Sequence, residues 1–249
     1  MAKRVNTKFV FLLAACIVLL VGGIGAFYYV VVSRSAGEIV RQGDDLLASG
    51  EPRLAMEKYG RAVGKEPTNV EYLGKFLGAA QVTPAKDYLE AQQFLGQIIE
   101  AKRQVSENRP GDDAALESLY AHLLQLADGF GGRHWFDQLH RLSSSKLDAY
   151  PDSLIARKYR AIATVRRLSQ ETPRGEVDEA SADLVATLEA NPADLQANRH
   201  LAMLMLAEVA RLERIDTPED QLDALRAQAM ELTRRMVEQN PESLDAKLY

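Results

Sequence analysis

Residues 151–156 have the sequence Pro-Asp-Ser-Leu-Ile-Ala, and residues 192–197, which follow 41 positions later, have the sequence Pro-Ala-Asp-Leu-Gln-Ala. Proline cannot continue a helix because it lacks a backbone N–H. Ser153 and Asp194, by contrast, carry side-chain oxygens that accept hydrogen bonds from the free N–H groups at the start of a helix. Each hexapeptide therefore predicts that one helix ends and the next one begins.

The combination of proline with Asn, Asp or Ser two residues later occurs five times, with spacings of 43, 41, 41 and 49 residues. The five prolines are Pro67, Pro110, Pro151, Pro192 and Pro241. Prolines avoid helices in any all-α protein, but that tendency does not explain the repeated capping residue. A regular spacing of this size predicts an array of helical hairpins instead of a single globular core.

The other prolines predict the turn inside each hairpin. They lie in polar stretches between the capping signals, at Pro52, Pro84, Pro173 and Pro218. The third hairpin has no such proline, and residues 128–132, Asp-Gly-Phe-Gly-Gly, predict its turn because glycine reaches positive φ at little cost. No segment is predicted to be a strand. The predicted helix pairs are 36–49 with 53–65, 70–82 with 85–107, 113–128 with 133–148, 153–169 with 175–190, and 194–214 with 219–239.

One stretch carries a family resemblance. Residues 36–69 contain Gly43, Ala55, Tyr59, Ala62 and Pro67, in the register of the tetratricopeptide repeat. The chain resembles that family most specifically over this stretch and, with longer repeats and fewer matching positions, over 70–249. The resemblance implies an all-α fold, an α-solenoid of about five tetratricopeptide-like hairpins, in which small residues allow close helix packing and the aromatic ring fills the gap.

The N-terminal region predicts a membrane anchor. Residues 9–32 form an uncharged apolar run, which as a helix would be about 36 Å long and would cross a hydrocarbon core of about 30 Å. The run is longer than the apolar part of a cleaved signal peptide. We therefore expect a basic cytoplasmic stub at 1–8, a transmembrane helix at 9–32 in contact with the lipid bilayer, and an extracytoplasmic repeat domain at 33–249.

Several properties of the anchor follow from individual residues. The basic residues Lys3, Arg4 and Lys8 favour a cytoplasmic N-terminus, and hence repeats on the periplasmic side of a bacterial inner membrane. Residues 13–16, Leu-Ala-Ala-Cys, also resemble the lipidation signal of bacterial lipoproteins. Gly22 and Ala26 would let two anchors pack as a homodimer, although such glycines are also ordinary in membrane helices.

Composition argues against nucleic-acid binding, and the positions of the histidines and the cysteine argue against a metal or catalytic site. Residues 33–249 carry 27 basic and 35 acidic side chains, a net charge of −8, which would repel phosphates. His134 and His140 are six positions apart and face different sides of their predicted helix, and Cys16 is the only cysteine. We therefore expect no metal, no cofactor, no catalytic site and no enzymatic activity.

The resemblance instead implies a binding surface for a protein or peptide. In the family, the first helix of each hairpin (helix A) lines an inner wall that binds such a partner. Lys158 and Arg199, one repeat apart, could hold an acidic segment or be solvated charges; Ile162 and Met203 could offer apolar contacts or pack on their own helices. The inner-wall positions implied are Glu71, Gly74, Gly78, Ala114, Glu117, Ala121, Ile155, Lys158, Ile162, Gln196, Arg199 and Met203.

The sequence is thus interpreted as a membrane-anchored scaffold for protein–protein interaction. Residues 243–249 begin a further helix with no capping helix after it, so we expect a chain truncated in a sixth repeat or an end covered by a partner. The alternatives are the anchored regulatory or docking arm of a larger enzyme, an envelope lipoprotein in an assembly complex, and an organelle receptor with cytosolic repeats.

Overall fold

A computed structural model of the chain describes residues 35–169, 171–215 and 217–239. Within these ranges every regular element is helical, and every predicted helix is present with ends within three residues of those expected. The elements are α1 (Ala36–Ala48), α2 (Pro52–Lys65), α3 (Val70–Val82), α4 (Tyr88–Asn108), α5 (Asp113–Phe130), α6 (Arg133–Ala149), α7 (Leu154–Arg167), α8 (Arg174–Ala190), α9 (Leu195–Leu212), η1 (Glu213–Ile215) and α10 (Glu219–Gln239).

The predicted capping residues begin the helices in the expected way. Asn69 accepts hydrogen bonds from the backbone N–H groups of Glu71 and Tyr72, at 3.1 and 3.3 Å. Each of the other cap side chains accepts one hydrogen bond from the backbone N–H group three residues later. These cap residues are Asp112, Ser153 and Asp194. The capping signal is therefore confirmed at four of its five occurrences, and the fifth, at Ser243, lies outside the described residues.

The turn of the third hairpin differs in detail from the prediction. Helix α5 was expected to end at residue 128, but it continues through Phe130. Gly131 and Gly132 then adopt φ angles of +65° and +125°. The chain turns at these two residues because glycine alone adopts positive φ without strain.

The helices fall into two compact units, unit 1 up to Asn108 and unit 2 from Arg109. Unit 1 contains the hairpins α1/α2 and α3/α4, and its core confirms the small-residue and aromatic pairing. A Cβ atom added at Gly43 would lie 2.6 Å from the Tyr59 ring, so only glycine lets α1 approach α2 this closely. Tyr59 is 1% exposed, and its hydroxyl donates a hydrogen bond to Asp44 at 2.7 Å.

Unit 2 contains the hairpins α5/α6, α7/α8 and α9/α10. Helix α7 is central, since it contacts α5, α6, α8 and α9. The rings of Tyr120 on α5 and Tyr159 on α7 pack with their centroids 5.5 Å apart. Leu123, Leu139 and Ile162 are wholly buried between the helices. The core of unit 2 is therefore continuous from one hairpin to the next.

The predicted anchor at 9–32, its basic stub at 1–8 and the helix expected to begin at 243 lie outside the described residues. Among the helices that are described, none is both long and apolar enough to cross a membrane.

Candidate partner-binding surfaces

The predicted inner wall is accessible in unit 1. Glu71, Gly74 and Gly78 lie on the exposed side of α3. A Cβ atom added at Gly74 or Gly78 would meet no heavy atom within 4 Å. These positions therefore leave room for a partner to approach the backbone of α3.

In unit 2 the predicted inner wall is only partly accessible. Ala114 is exposed, and six other predicted residues are half-buried: Glu117, Ala121, Ile155, Gln196, Arg199 and Met203. Lys158 and Ile162 are 5% and 0% exposed. These two side chains are enclosed by unit 2 and are less accessible than the other predicted inner-wall residues.

Lys158 is buried because it connects three repeats of its own chain. Its Nζ lies 2.6 Å from Glu117 Oε1 on α5 and 3.1 Å from Asp194 Oδ2 at the start of α9. Glu117 also accepts a hydrogen bond from the Tyr159 hydroxyl at 3.3 Å. Asp194 both caps α9 and neutralises the lysine, so Lys158 has its acidic partners within unit 2.

A second surface, which sequence reasoning missed, is a groove in unit 1 between α2 and α4. It has a volume of about 890 Å³. Leu73 and Phe76 of α3 lie at its base, and Met56 and Phe94 line its sides. We call this cavity the unit 1 groove. Its size is that of a typical ligand site, and its base is apolar.

Polar side chains form the two rims of the unit 1 groove. Arg53, Glu57 and Arg61 follow one another at four-residue spacing on α2. The facing rim on α4 carries side chains at helical spacing: Glu90, Gln93, Gln97, Glu100 and Gln104. The periodicity of the glutamines and glutamates on α4 is visible in the sequence, but the sequence does not show that α2 leaves this face uncovered.

One end of the unit 1 groove is closed by Arg53. Its guanidinium forms an ion pair with Glu90 across the groove and donates a hydrogen bond to the carbonyl oxygen of Pro84 at 2.7 Å. The same guanidinium lies 5.6 Å from the centre of the Phe94 ring. These contacts fix the spacing of α2 and α4 at this end.

Toward the other end, Gln104 presents an unsatisfied acceptor. Its Nε2 donates a hydrogen bond to Glu100 Oε1 at 2.8 Å, which fixes the orientation of the amide. Its Oε1 is buried and accepts no hydrogen bond from any of the described residues. A buried acceptor without a donor is unfavourable, so this oxygen lowers the stability of α4 at this end of the groove.

Within the part of the chain that the structure describes, no group of three or more His, Cys, Asp or Glu side chains is arranged to hold a metal ion.

No protein-family model matches the chain, and no curated protein matches it. Similar solved structures exist. YrrB, a TPR protein with an unusual peptide-binding site, superimposes with a TM-score of 0.50 at 12% identity, over 90% of this chain and 96% of its own. MamA has a TM-score of 0.46 at 14% identity, over 84% and 93% of the two chains. TTC0263, a thermophilic TPR protein of Thermus thermophilus, has a TM-score of 0.45 at 17% identity, over 86% and 96%.

Proposed function

We propose that this chain, whose fold resembles that of tetratricopeptide repeat proteins, is a protein-interaction scaffold that binds an extended segment of a partner protein in the unit 1 groove. The observation that carries the proposal is the groove itself, a cavity of about 890 Å³ with an apolar base and glutamine side chains along one rim. The peptide-binding site of YrrB belongs to that protein. It supports the proposal only by showing that a protein of similar fold can bind a peptide.

The groove matches the chemistry of an extended peptide. Such a peptide presents backbone N–H donors and C=O acceptors along its whole length. The amides of Gln93, Gln97 and Gln104 supply both an acceptor and donors. Leu73 and Phe76 at the base would receive an apolar side chain of the peptide, which is how pockets along a bound strand obtain specificity.

The scaffold is further proposed to be held at a membrane by residues 9–32, with its repeats extracytoplasmic. The uncharged run of 24 residues and the basic residues before it support this part of the proposal. Protease treatment of intact cells tests it. The repeats should be degraded only after the outer barrier is opened, and repeats that stay protected until the cytoplasm is exposed would contradict this topology.

The groove is tested by a pair of glycine substitutions on one helix. Gly60 lines the unit 1 groove, and Gly64, one turn later on α2, does not. Gly60→Leu fills the groove, whereas Gly64→Leu makes the same chemical change at an exposed site. Both replace a helical glycine, so both gain similar helix propensity.

The readout is photocrosslinking in native membranes, with the full chain carrying benzoylphenylalanine at position 97. We expect partner adducts that Gly60→Leu reduces by at least about tenfold and that Gly64→Leu leaves unchanged, because blocking a tight pocket costs more than about 1.4 kcal/mol. Adducts that persist equally in both variants would contradict the groove as the binding site.

The accessible inner-wall positions form further proposed contact surfaces, one in each unit. In unit 1 these positions are Glu71 and Gly74, and in unit 2 they are Glu117, Ala121, Ile155, Gln196, Arg199 and Met203. Gly74→Leu in the same crosslinking experiment, with the probe at position 71, measures its use. Loss of adducts at position 71 but not at position 97 would assign a partner to this surface.

A further inference from the structure

Unit 2 contains a separate pocket of about 520 Å³. It lies between the α7–α8 turn, the start of α8 and the C-terminal half of α9. Its apolar lining comes from both sides and consists of Leu168, Val177, Leu204, Ala207 and Ala210. Such a lining can bury one or two aliphatic side chains of a ligand.

The charged groups of this pocket are three arginines and one glutamate. Glu208 lies 2.6 Å from Arg174 and 2.7 Å from Arg211, and its side chain is only 17% exposed. Arg214 also lines the pocket and forms no ion pair or hydrogen bond with any described residue. The pocket therefore carries surplus positive charge within a repeat region whose net charge is −8.

Glu208 is held firmly in its ionised form. The hydrogen bond from Arg211, followed by that from Arg174, lowers the pKa of Glu208 to about 2 despite partial burial. Arg174 also lies 2.9 Å from Asp178 on the same helix. Glu208 thus shares Arg174 with Asp178 and occupies Arg211 as well, and each guanidinium group can bind a carboxylate through two parallel hydrogen bonds. Both arginines remain about half exposed and can be reached from solvent.

We propose that this pocket binds an acidic, aliphatic segment of a partner protein, and that Glu208 is an internal competitor for the arginines that receive it. A carboxylate of the partner would bind Arg214 and share Arg211 or Arg174 with Glu208. A neighbouring Leu, Ile or Val would enter the apolar lining. This site lies in unit 2, so it extends beyond the proposed function of the unit 1 groove.

Charge and shape together favour such a segment. An aliphatic side chain next to a carboxylate matches an apolar lining with arginines at its edge, because the guanidinium stems add apolar surface and the heads bind the anion. A phosphate of a lipid headgroup could also bind the arginines. A bilayer surface, however, would not insert a single short side chain between α8 and α9.

The first experiment measures binding of a defined peptide to the full chain in detergent micelles by calorimetry. The probe is acetyl-Leu-Asp-Glu-Leu-Leu-amide, and the comparison peptide is acetyl-Leu-Asn-Gln-Leu-Leu-amide. We expect the acidic peptide to bind at least about fivefold more tightly, as one charged contact of about 1 kcal/mol implies. Arg214→Gln should remove most of this difference. Arg141→Gln makes the same charge change at an exposed arginine of α6 outside the pocket and should not.

The second experiment tests the internal competitor. Glu208→Gln releases Arg211 and leaves Arg174 paired with Asp178, so we expect it to increase affinity for the acidic peptide by about two- to fivefold. Glu189→Gln removes one negative charge from an exposed position on α8 outside the pocket and should change affinity by less. An increase specific to Glu208→Gln cannot arise from general loss of structure.

Three results would overturn the proposal. The first is an equal loss of affinity for the acidic peptide in Arg214→Gln and Arg141→Gln, and the second is weaker binding of that peptide by Glu208→Gln. The third is that the chain binds anionic phosphatidylglycerol vesicles through Arg214 but does not bind the acidic peptide. The Gly60→Leu variant separates the two sites. It should keep full affinity for the acidic peptide even where the unit 1 groove is blocked.

Discussion

Both units contain a lysine on a helix A that pairs with a carboxylate of the preceding helix A, but the two pairs lie in different surroundings. In unit 1, Lys75 lies 2.6 Å from Asp44, and the two side chains are 32% and 45% exposed. In unit 2, Lys158 lies 2.6 Å from Glu117, which is 43% exposed, but the lysine side chain is only 6% exposed and has Asp194, 14% exposed, as a second partner. The same pairing should therefore stabilise the two units by different amounts, because water reaches the ammonium group of Lys75 but is largely excluded from that of Lys158 and from its second partner, Asp194.

The largest expected effect follows from replacing the buried lysine. Lys158→Ala should destabilise unit 2 by about 3 kcal/mol, because it leaves the largely buried Asp194 without its cation and leaves a cavity. Denaturant unfolding followed by fluorescence measures it, since the only tryptophan, Trp135, lies in unit 2.

Lys158→Met provides the matched control. It keeps an apolar stem of similar length and removes only the charge, so it should cost less than Lys158→Ala. Equal and small losses for both variants, below about 0.5 kcal/mol, would show that burial does not strengthen this pair.

Acid should destabilise unit 2 more than unit 1, because all four histidines lie in unit 2. The expected difference is almost as large as the effect of Lys158→Ala. His200 is 1% exposed, and one of its ring nitrogens bonds to the carbonyl oxygen of Gln196 at 2.7 Å. Burial, together with the nearby Arg199 and Arg166, lowers the pKa of His200 from 6.5 to about 4, although Gln196 and Asp194 oppose the shift.

The unfolded chain therefore binds a proton at His200 at a higher pH than the folded chain does. Its contribution to stability is complete above about pH 6.5 and is lost as the pH falls toward 4, by about 3 kcal/mol in total. Hydrogen exchange of each unit at pH 7 and pH 4.5 measures the loss. His200→Leu should flatten the pH dependence of unit 2, and an unchanged slope would contradict this assignment.

A change in stability of intermediate size is expected where α1 and α2 of unit 1 approach each other closely. Gly43→Ala places a methyl group against the buried Tyr59 ring and should destabilise unit 1 by about 2 kcal/mol. Gly64→Ala, where nothing lies within 4 Å, should be neutral or stabilising by up to about 1 kcal/mol. Hydrogen exchange of α1 and α2 distinguishes them, and equal protection in both variants would argue against the steric role of Gly43.

The smallest effect is expected for the exposed pair of unit 1. Lys75→Ala should destabilise unit 1 by no more than about 1 kcal/mol, and salt should weaken the difference further. Denaturant unfolding followed by far-UV circular dichroism, at low and at high salt, measures this free-energy difference. A loss as large as that of Lys158→Ala would remove the contrast between the two units.

Sequence patterns predicted the local features well. Asn69, Asp112, Ser153 and Asp194 cap the helices as expected, because a cap contacts only N–H groups two or three residues away. The pairing of Gly43 with Tyr59 was also predictable from the register of a known repeat. The turn of the third hairpin lies within the predicted residues 128–132, but the end of α5 was placed two residues too early, since Gly129, Gly131 and Gly132 leave the end of the helix ambiguous.

The exposure of individual side chains was predicted less well. Lys158 and Ile162 occupy helix A positions that are accessible in a regular repeat, yet both are buried here. The unit 1 groove was missed because its two rims come from α2 and α4, which are some 40 residues apart in the chain. No periodicity within one helix shows whether a neighbouring helix covers it.

Local sequence was sufficient to place the starts and ends of the helices and the number of hairpins in the described part of the chain, because proline, glycine and capping side chains act on the nearest few backbone groups. Which charges are available to a partner follows only from how the helices pack. Exposure depends on the distances between side chains that lie a whole repeat apart, such as Lys158 and its carboxylates at 117 and 194, and packing alone sets those distances.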